Sequence, residues 1–303
     1  MMKKDILWRF IMENYVLISD CTLDLPVQHC NELDIHVIPM EFTLDGHPYK
    51  HYIDARQLSY QAFYQAMRAG KFSTTSQINY KEFSSFFKPF LEDGKDILYI
   101  CFTSGMSGTY NTCRIAVADL QKKYPDRKIM VVDSLCASVG EGLLVYHAAL
   151  KKRDGMQLSV LADWVEQNKQ RVCHWFVVDD LEHLKRGGRI GTVTAAFGKA
   201  LQIKPLLSVD SDGKLTTVAK IRGASKVLEG LADRLISDGA NTQEQTVIIG
   251  HADVPEDAQA LDRLLKDRGL IKDSIIADIG PVIGTHVGAG MLALTFMGER
   301  RMK

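Results

Sequence analysis

Three short segments of this 303-residue chain carry side chains whose type and spacing could do chemistry. The first is Thr103-Ser104-Gly105-Met106-Ser107-Gly108-Thr109-Tyr110, directly after the apolar stretch Ile97 to Phe102. An apolar strand, a small polar loop and a helix start leave unpaired amides and hydroxyls together, and the helix dipole favours negative charge there. A carboxylate or a phosphate suits such a place; the plain alternative makes Ser107 an N-cap and nothing more. The second segment is Gly280-Pro281-Val282-Ile283-Gly284-Thr285-His286-Val287-Gly288-Ala289-Gly290, read as a glycine-rich loop in which the lone His286 can donate to a carboxylate. The polar loop Ser73-Thr74-Thr75-Ser76-Gln77 offers further hydroxyls or, alternatively, only a solvated turn. The third segment runs from Asp179 and Asp180 through Leu184-Lys185-Arg186-Gly187-Gly188-Arg189-Ile190 to Gly191. Arg186 and Arg189 bracket a Gly-Gly turn and present forked donors for a phosphate or an acidic partner, with Arg222 as a further candidate, against the alternative of a solvated charged loop.

Other chemistries fit less well. Ser107, His286 and Asp133 could form a hydrolase or acyl-transferase relay, but a nucleophile elbow needs glycine two residues after the serine and Thr109 stands there. Gly140-Glu141-Gly142 lacks the third glycine of a dinucleotide fingerprint, and no Walker A pattern occurs. Asp20, Asp24 and Asp133 follow strands and serve either acid–base work or helix capping. His47 and His51 flank Pro48, a poor helical context for a metal pair.

The elements that must position these residues alternate. Apolar runs at Val16–Ile18, Ile35–Leu44, Ile97–Phe102 and Ile129–Val132 interleave with helical patterns at Ala55–Ala69, Tyr80–Glu92, Thr109–Lys123 and Val139–Arg153, which predicts β-α-β units and a largely parallel, Rossmann-like sheet. After a helix over Leu158–Arg171, Leu206–Val209 and Leu215–Ile221 flank the hairpin signal Asp210-Ser211-Asp212-Gly213, so a second lobe with an antiparallel or mixed sheet is expected. A helix over Ala224–Ser237, strand Val247–Gly250, helix Pro255–Asp267, strand Ile275–Ile279 and strand Met291–Phe296 complete it. The expected class is α/β in two lobes, 1–156 and 157–303, with the ligand between them.

Composition narrows the partners. With 37 basic and 37 acidic residues and no long basic run, nucleic acid and stable membrane binding are not expected. Six cysteines without C-x-x-C spacing point to a reducing cytoplasm and to no metal site. Met1 to Ile11 does not read as a signal peptide and is either an upstream start or an appended helix; no stretch reaches the roughly 18 to 20 apolar residues that span a bilayer.

Taken in order, Ile18-Ser19-Asp20-Cys21-Thr22-Leu23-Asp24-Leu25-Pro26, Thr75-Ser76-Gln77, Ser104–Tyr110, Val132-Asp133-Ser134, Leu184–Ile190 and Gly280–Gly288 resemble the DegV family over Val16 to Phe296. The chain is similar to the fatty-acid-binding subunit of bacterial fatty acid kinase, with departures at Cys21, Ile78 and Ala289. The resemblance implies a long-chain fatty acid between the lobes, its carboxylate held by Thr75, Ser107 and His286, with Ser104 as the alternative serine. It implies no cofactor and no catalysis by this chain alone. A partner kinase, met through Arg186, Arg189 and Arg222, would supply ATP and magnesium, and contact with a membrane would be transient. A lipid-sensing regulatory module is the remaining alternative.

Overall fold

The computed structural model describes residues 14–179, 181–189 and 203–301. The opening eleven residues, and Asp180, Ile190 and Gly191 of the arginine segment, lie outside the described residues. An apolar run such as Tyr15-Val16-Leu17-Ile18 can be buried only where both strand faces are covered. It forms β1 (Tyr15–Asp20), buried throughout, in a parallel sheet ordered β2 (Ile35–Ile38), β1, β6 (Asp96–Cys101), β7 (Ile129–Asp133). A 3-10 turn, Cys21–Leu23, and α1 (Val27–Glu32) follow β1. One face is covered by α3 (Tyr80–Glu92) and α4 (Thr109–Lys123), whose Phe83, Phe87 and Cys113 pack with Ile18 and Tyr99. Asn79 opens α3 with a capping box: its side chain accepts the Lys81 and Glu82 amides while Glu82 accepts the Asn79 amide. On the other face lie α5 (Val139–Arg153) and α6 (Leu158–Asn168).

The apolar stretch Ile35–Leu44 is two strands rather than one. Pro39, which has no N–H to give, ends β2, and β3 (Met40–Leu44) joins a separate antiparallel sheet with β4 (His47–His51) and β5 (Ser73–Thr75). Asp45 and Gly46, both at positive φ, make the two-residue hairpin turn between β3 and β4. The expected helix Ala55–Ala69 begins later, as α2 (Tyr60–Arg68), where Ser59 accepts the Ala62 amide.

The second sheet has the order β10 (Leu215–Arg222), β9 (Ile203–Val209), β8 (Val172–Val177), β13 (Leu292–Met297), β11 (Thr246–His251), β12 (Asp273–Asp278), parallel only between β11 and β12. The fold is therefore α/β with a parallel and a mixed sheet, as the grammar of the sequence requires. β8 has no counterpart in the sequence reading, because Val172–Val177 is a continuous buried run directly after a helix and carries no alternation. One face of this sheet packs against α8 (Ala224–Asp238) and α9 (Pro255–Asp267), while α5 contacts strands of the other. A short α7 (Glu182–Arg186) follows β8.

Gly280–Gly290 is not a loop. Pro281–Val287 forms α10, and its glycines explain why. Gly280, Gly284 and Gly288 recur every four residues, which puts them on one helical face. A Cβ on Gly280 would lie 2.1 Å from His51, one on Gly284 2.5 Å from the Tyr64 hydroxyl, and one on Gly288 2.5 Å from His183. The glycines serve close approach, and α10 presses onto elements of the first lobe and α7.

Polar bonds close the seam between the lobes. The Tyr64 hydroxyl donates to the Ile279 carbonyl at 2.7 Å, and Thr103 Oγ1 to the Gly213 carbonyl at 2.9 Å. The buried Arg301 guanidinium donates to the carbonyls of Val172, Lys169, Asp210 and Leu135, gathering both lobes with no carboxylate partner among these contacts.

The glycine stripe yields a test. Gly284→Ala overpacks the Tyr64–Phe63 contact and is expected to cost about 1–3 kcal/mol. Denaturant unfolding checks it; a neutral result would mean that α10 can move away from α2 at no cost.

Candidate functional site

Between the sheets lies a cavity of about 830 Å³, solvent at its mouth included. Its walls are apolar, with Met40, Phe102, Phe176, Leu215, Ile283 and Met291 among them. Ser138, His174 and Thr295, all buried, belong to its inner part. His174 and Thr295 face each other across the β8–β13 register, and His174 Nδ1 lies 3.1 Å from the Val172 carbonyl, which can only accept. Burial pushes that imidazole well below its ordinary pKa, so the floor of the tunnel carries no histidine charge.

The other end carries the donors. Thr75 ends β5, Ser107 precedes α4, and His286 sits in the last turn of α10; all three line the cavity. Thr75 Oγ1 and His286 Nε2 are 2.9 Å apart. Burial first, then the nearby Arg189 guanidinium, pushes the His286 imidazole down to about 4. Its Nδ1 has no hydrogen-bond partner, since a Cβ on Gly187 would lie 2.2 Å from it. A neutral ring keeps its proton where a partner stands, so Nε2–H donates to Thr75 and the Thr75 hydroxyl is left to donate into the cavity. The Ser107 hydroxyl contacts Thr109 Oγ1 at 2.8 Å and accepts the Thr109 amide at 3.2 Å, so it both lines the cavity and caps a helix.

Ser104 is exposed and does not line this cavity; its amide donates to Asp133 at 3.1 Å. The hydrolase relay is absent from the geometry: His286 bonds Thr75, Ser107 bonds Thr109, and Asp133 accepts the Ser104 and Leu135 amides. Asp20 and Asp24 resolve as buried acceptors, Asp20 of the Thr22 and Phe102 amides and the Tyr99 hydroxyl, Asp24 of the Gly280 amide and the Ser138 hydroxyl.

The arginines separate. Arg189 lines the cavity, donates to the Met106 and Gly187 carbonyls at 3.2 and 2.6 Å, and stands beside His286. Its place at the head of the tunnel was not visible in the sequence, where it reads only as one arm of a surface turn. Arg186 is exposed, 6.0 Å from the Phe72 ring centre. Both arginines line a second, more polar cavity with Lys71, Phe72 and Thr74, which shares Thr75, Arg189 and His286 with the first and so adjoins its mouth. Arg222 lies at the far end of β10 from Leu215, roughly 20 Å along the strand, and joins neither. Sequence reasoning also missed Gln77 as a brace: its amide donates to Thr112 Oγ1 at 3.1 Å and occupies the space beside Gly108.

Among the described residues there is no group of His, Cys, Asp or Glu suited to a metal, and no helix long and apolar enough to cross a membrane. Fold and site together define a two-lobed α/β protein with an apolar interlobe cavity whose inner part is buried and whose mouth carries hydrogen-bond donors.

The chain belongs to the DegV family. The model of that family, described as "Uncharacterised protein, DegV family", matches residues 14–299. A DegV domain-containing protein of Clostridium perfringens is 42% identical over 290 residues, 96% of this chain and 99% of its own length. Among solved structures, the chain is similar to a fatty acid binding DegV family protein of Streptococcus agalactiae (28% identity, TM-score 0.81, covering 95% of this chain and 100% of that one). It is also similar to a DegV family protein of Thermus thermophilus described by its fatty acid binding (26% identity, TM-score 0.84, covering 94% and 99%).

Buried neutral imidazoles set an acid limit. His51, His147 and His286 are held at about 3, 4 and 4, against 6.5 in an unfolded chain, mainly by burial. The unfolded state then binds more protons below 6.5, so the linked stability is complete above that pH and is lost as pH falls towards the folded values. Unfolding midpoints measured through this window should fall with pH, less steeply in His147→Gln. An unchanged slope in that variant would mean that the His147 ring is solvated in the native protein.

Proposed function

We propose that this protein holds a long-chain fatty acid in the interlobe tunnel and presents its carboxylate, bonded by Thr75, Ser107 and His286, to a separate ATP-dependent kinase that forms the acyl phosphate. The observation that carries the reading is the division of the tunnel into a buried apolar length and one mouth where the donors gather. The fatty acid binding described for the Streptococcus and Thermus relatives supports it.

The energetics fit. Burying hydrocarbon contributes about 0.8 kcal/mol per methylene, so about fourteen methylenes give on the order of 10 kcal/mol before ordering costs. A buried carboxylate is costly without donors, and the Thr75 and Ser107 hydroxyls and the Arg189 guanidinium offset that cost, with the His286 N–H acting through Thr75 Oγ1, whose proton it leaves free for the carboxylate. The carboxylate then lies where tunnel and outer cavity meet, reachable by a partner docked on Arg186 and Phe72. Arg222 is distant enough to serve only a broad contact or none. ATP and magnesium come from the kinase, the chain itself uses no cofactor, and the setting is the cytoplasm with passing contact to the membrane that supplies the lipid.

Native mass spectrometry of the purified protein, with extraction and identification of any released molecule, tests the first half. A stoichiometric fatty-acid adduct that is weakened in Thr75→Ala/Ser107→Ala/His286→Ala is expected. Protein free of adduct that also declines added palmitate sinks the reading.

The two arginines should separate the halves. Arg189→Ala is expected to weaken fatty acid binding about tenfold, the loss of one charge-assisted hydrogen bond. Arg186→Ala should leave binding intact and lower acyl-phosphate formation with the kinase. Equal loss of lipid binding in both variants would remove the distinction.

A further inference from the structure

Gly140-Glu141-Gly142 fails as a nucleotide fingerprint, yet all three residues are buried in the first turn of α5. A Cβ on Gly140 would lie 2.0 Å from His174, and one on Gly142 2.4 Å from the Leu23 carbonyl. Gly142 lets α5 sink towards the 3-10 turn Cys21–Leu23 and Gly140 lets it approach His174 of β8, and Glu141 then projects among oxygen atoms.

Proton counting makes that environment informative. Ser19 Oγ lies 2.9 Å from the Ile100 carbonyl oxygen and 3.0 Å from Glu141 Oε1. Thr22 Oγ1 touches Asp20 Oδ1 and lies 2.9 Å from Glu141 Oε2. Two hydroxyls have two protons for four oxygen–oxygen contacts, because carbonyl and ionised carboxylate oxygens only accept. A third proton must sit on a carboxyl group if a third contact is to be a hydrogen bond. Asp20 is the poorer holder: it accepts the Thr22 amide at 3.1 Å, the Phe102 amide at 3.3 Å and the Tyr99 hydroxyl at 2.8 Å, all of which favour its ionised form. The bonds found for Glu141 are to hydroxyls alone.

We propose that Glu141 carries a proton in the native protein and, acting through Thr22, is a positioning residue for the tunnel wall. Thr22 and Phe102 both line the tunnel, and both are bound by Asp20. Ionised Glu141 would set two carboxylates against one hydroxyl and displace the turn that carries Thr22. The groups facing it are Asp20 of β1, Cys21 of the turn, Cys101 at the end of β6 and Cys136 ahead of α5, and of these Arg301 bonds the Cys136 thiol, at 2.9 Å. Burial, then the Asp20 charge, pushes the Glu141 carboxyl well above its ordinary 4.5. The sign follows: the linked stability is complete below 4.5 and is lost as pH rises through the folded value.

The proton itself is independent of the ligand, whereas its consequence for binding rests on the fatty-acid reading. Infrared difference spectra of wild type against Glu141→Gln at neutral pH should contain the carbonyl band of an un-ionised carboxylic acid, lost in the variant. Absence of that band overturns the proposal. Palmitate titrated into delipidated protein should bind Glu141→Gln within about threefold of wild type and Glu141→Ala at least about tenfold more weakly, since only the amide keeps a donor and an acceptor on Ser19 and Thr22. Equal loss in the two variants overturns the positioning role, and the band with the Gln variant decides the matter even if the Ala variant does not fold. Wild type that shows the band yet takes no palmitate overturns the fatty-acid reading and leaves the proton assignment supported.

Discussion

The close approach of α10 to the first lobe is the constraint on which the site depends. Fixing a histidine from one lobe against a threonine from the other needs the two backbones within the reach of two short side chains, and Thr75–His286 at 2.9 Å meets it. Any side chain at Gly280 or Gly284 would hold the lobes apart. The neighbouring bond between Ser73 Oγ and Thr285 Oγ1 at 2.7 Å, one helix position before His286, depends on the same approach. The Gly280 amide, at the start of α10, is held by Asp24. Both ends of the helix are thus fixed by the first lobe before any ligand arrives, the preorganisation that positions a binding group without a later ordering cost.

Charge is distributed so that the apolar length stays neutral while the mouth does not. His174 at the floor is held neutral by burial and then by the charge of Arg301, whose guanidinium bonds backbone carbonyls and the Cys136 thiol. At the mouth, burial first and the Arg189 charge second lower the His286 pKa and keep that ring neutral. A guanidinium that is always charged and an imidazole that is neutral near pH 7 divide the work: the first offers Coulombic attraction, the second an N–H that orients the Thr75 hydroxyl. A mouth with two cations would bind a carboxylate more strongly and release it less readily.

Much of the frame was legible because each signal was local. Val16–Ile18 before Asp20, the capped helix from Tyr80 and the Asp210–Gly213 turn are each decided within a few residues, and the structure has them. What was illegible involved partners distant in sequence. The Gly280–Gly288 segment reads as a loop because glycine is a breaker in isolation; the spacing of four that makes it a packing face has meaning only once His51, Tyr64 and His183 are opposite. Ile35–Leu44 reads as one strand because Pro39 was not weighed as a terminator. Among site residues, Thr75, Ser107 and His286 were singled out together by the family resemblance rather than by type alone, and they do line one cavity, while Arg189 and Gln77 could not be assigned there because nothing in their own segments indicates Met106, His286 or Gly108.

The same geometry bears on how a tunnel of soft walls can be selective. Hydrophobic burial is non-directional and by itself rewards any longer chain at about 0.8 kcal/mol per methylene. Under the proposed function, a carboxylate held at the Thr75–His286 pair would fix one end of that chain, and the buried residues His174 and Thr295 would stop the other. A chain too short forfeits contacts along the walls, and one too long must bend or withdraw its carboxylate from the donors. Met40, Met106 and Met291 in the walls have flexible thioether side chains that can accommodate a bend, so the walls tolerate shape while the two fixed ends measure length. The selectivity of such a site resides in the distance between its ends, and that distance is set by the packing of α10 and β13 rather than by any single lining residue.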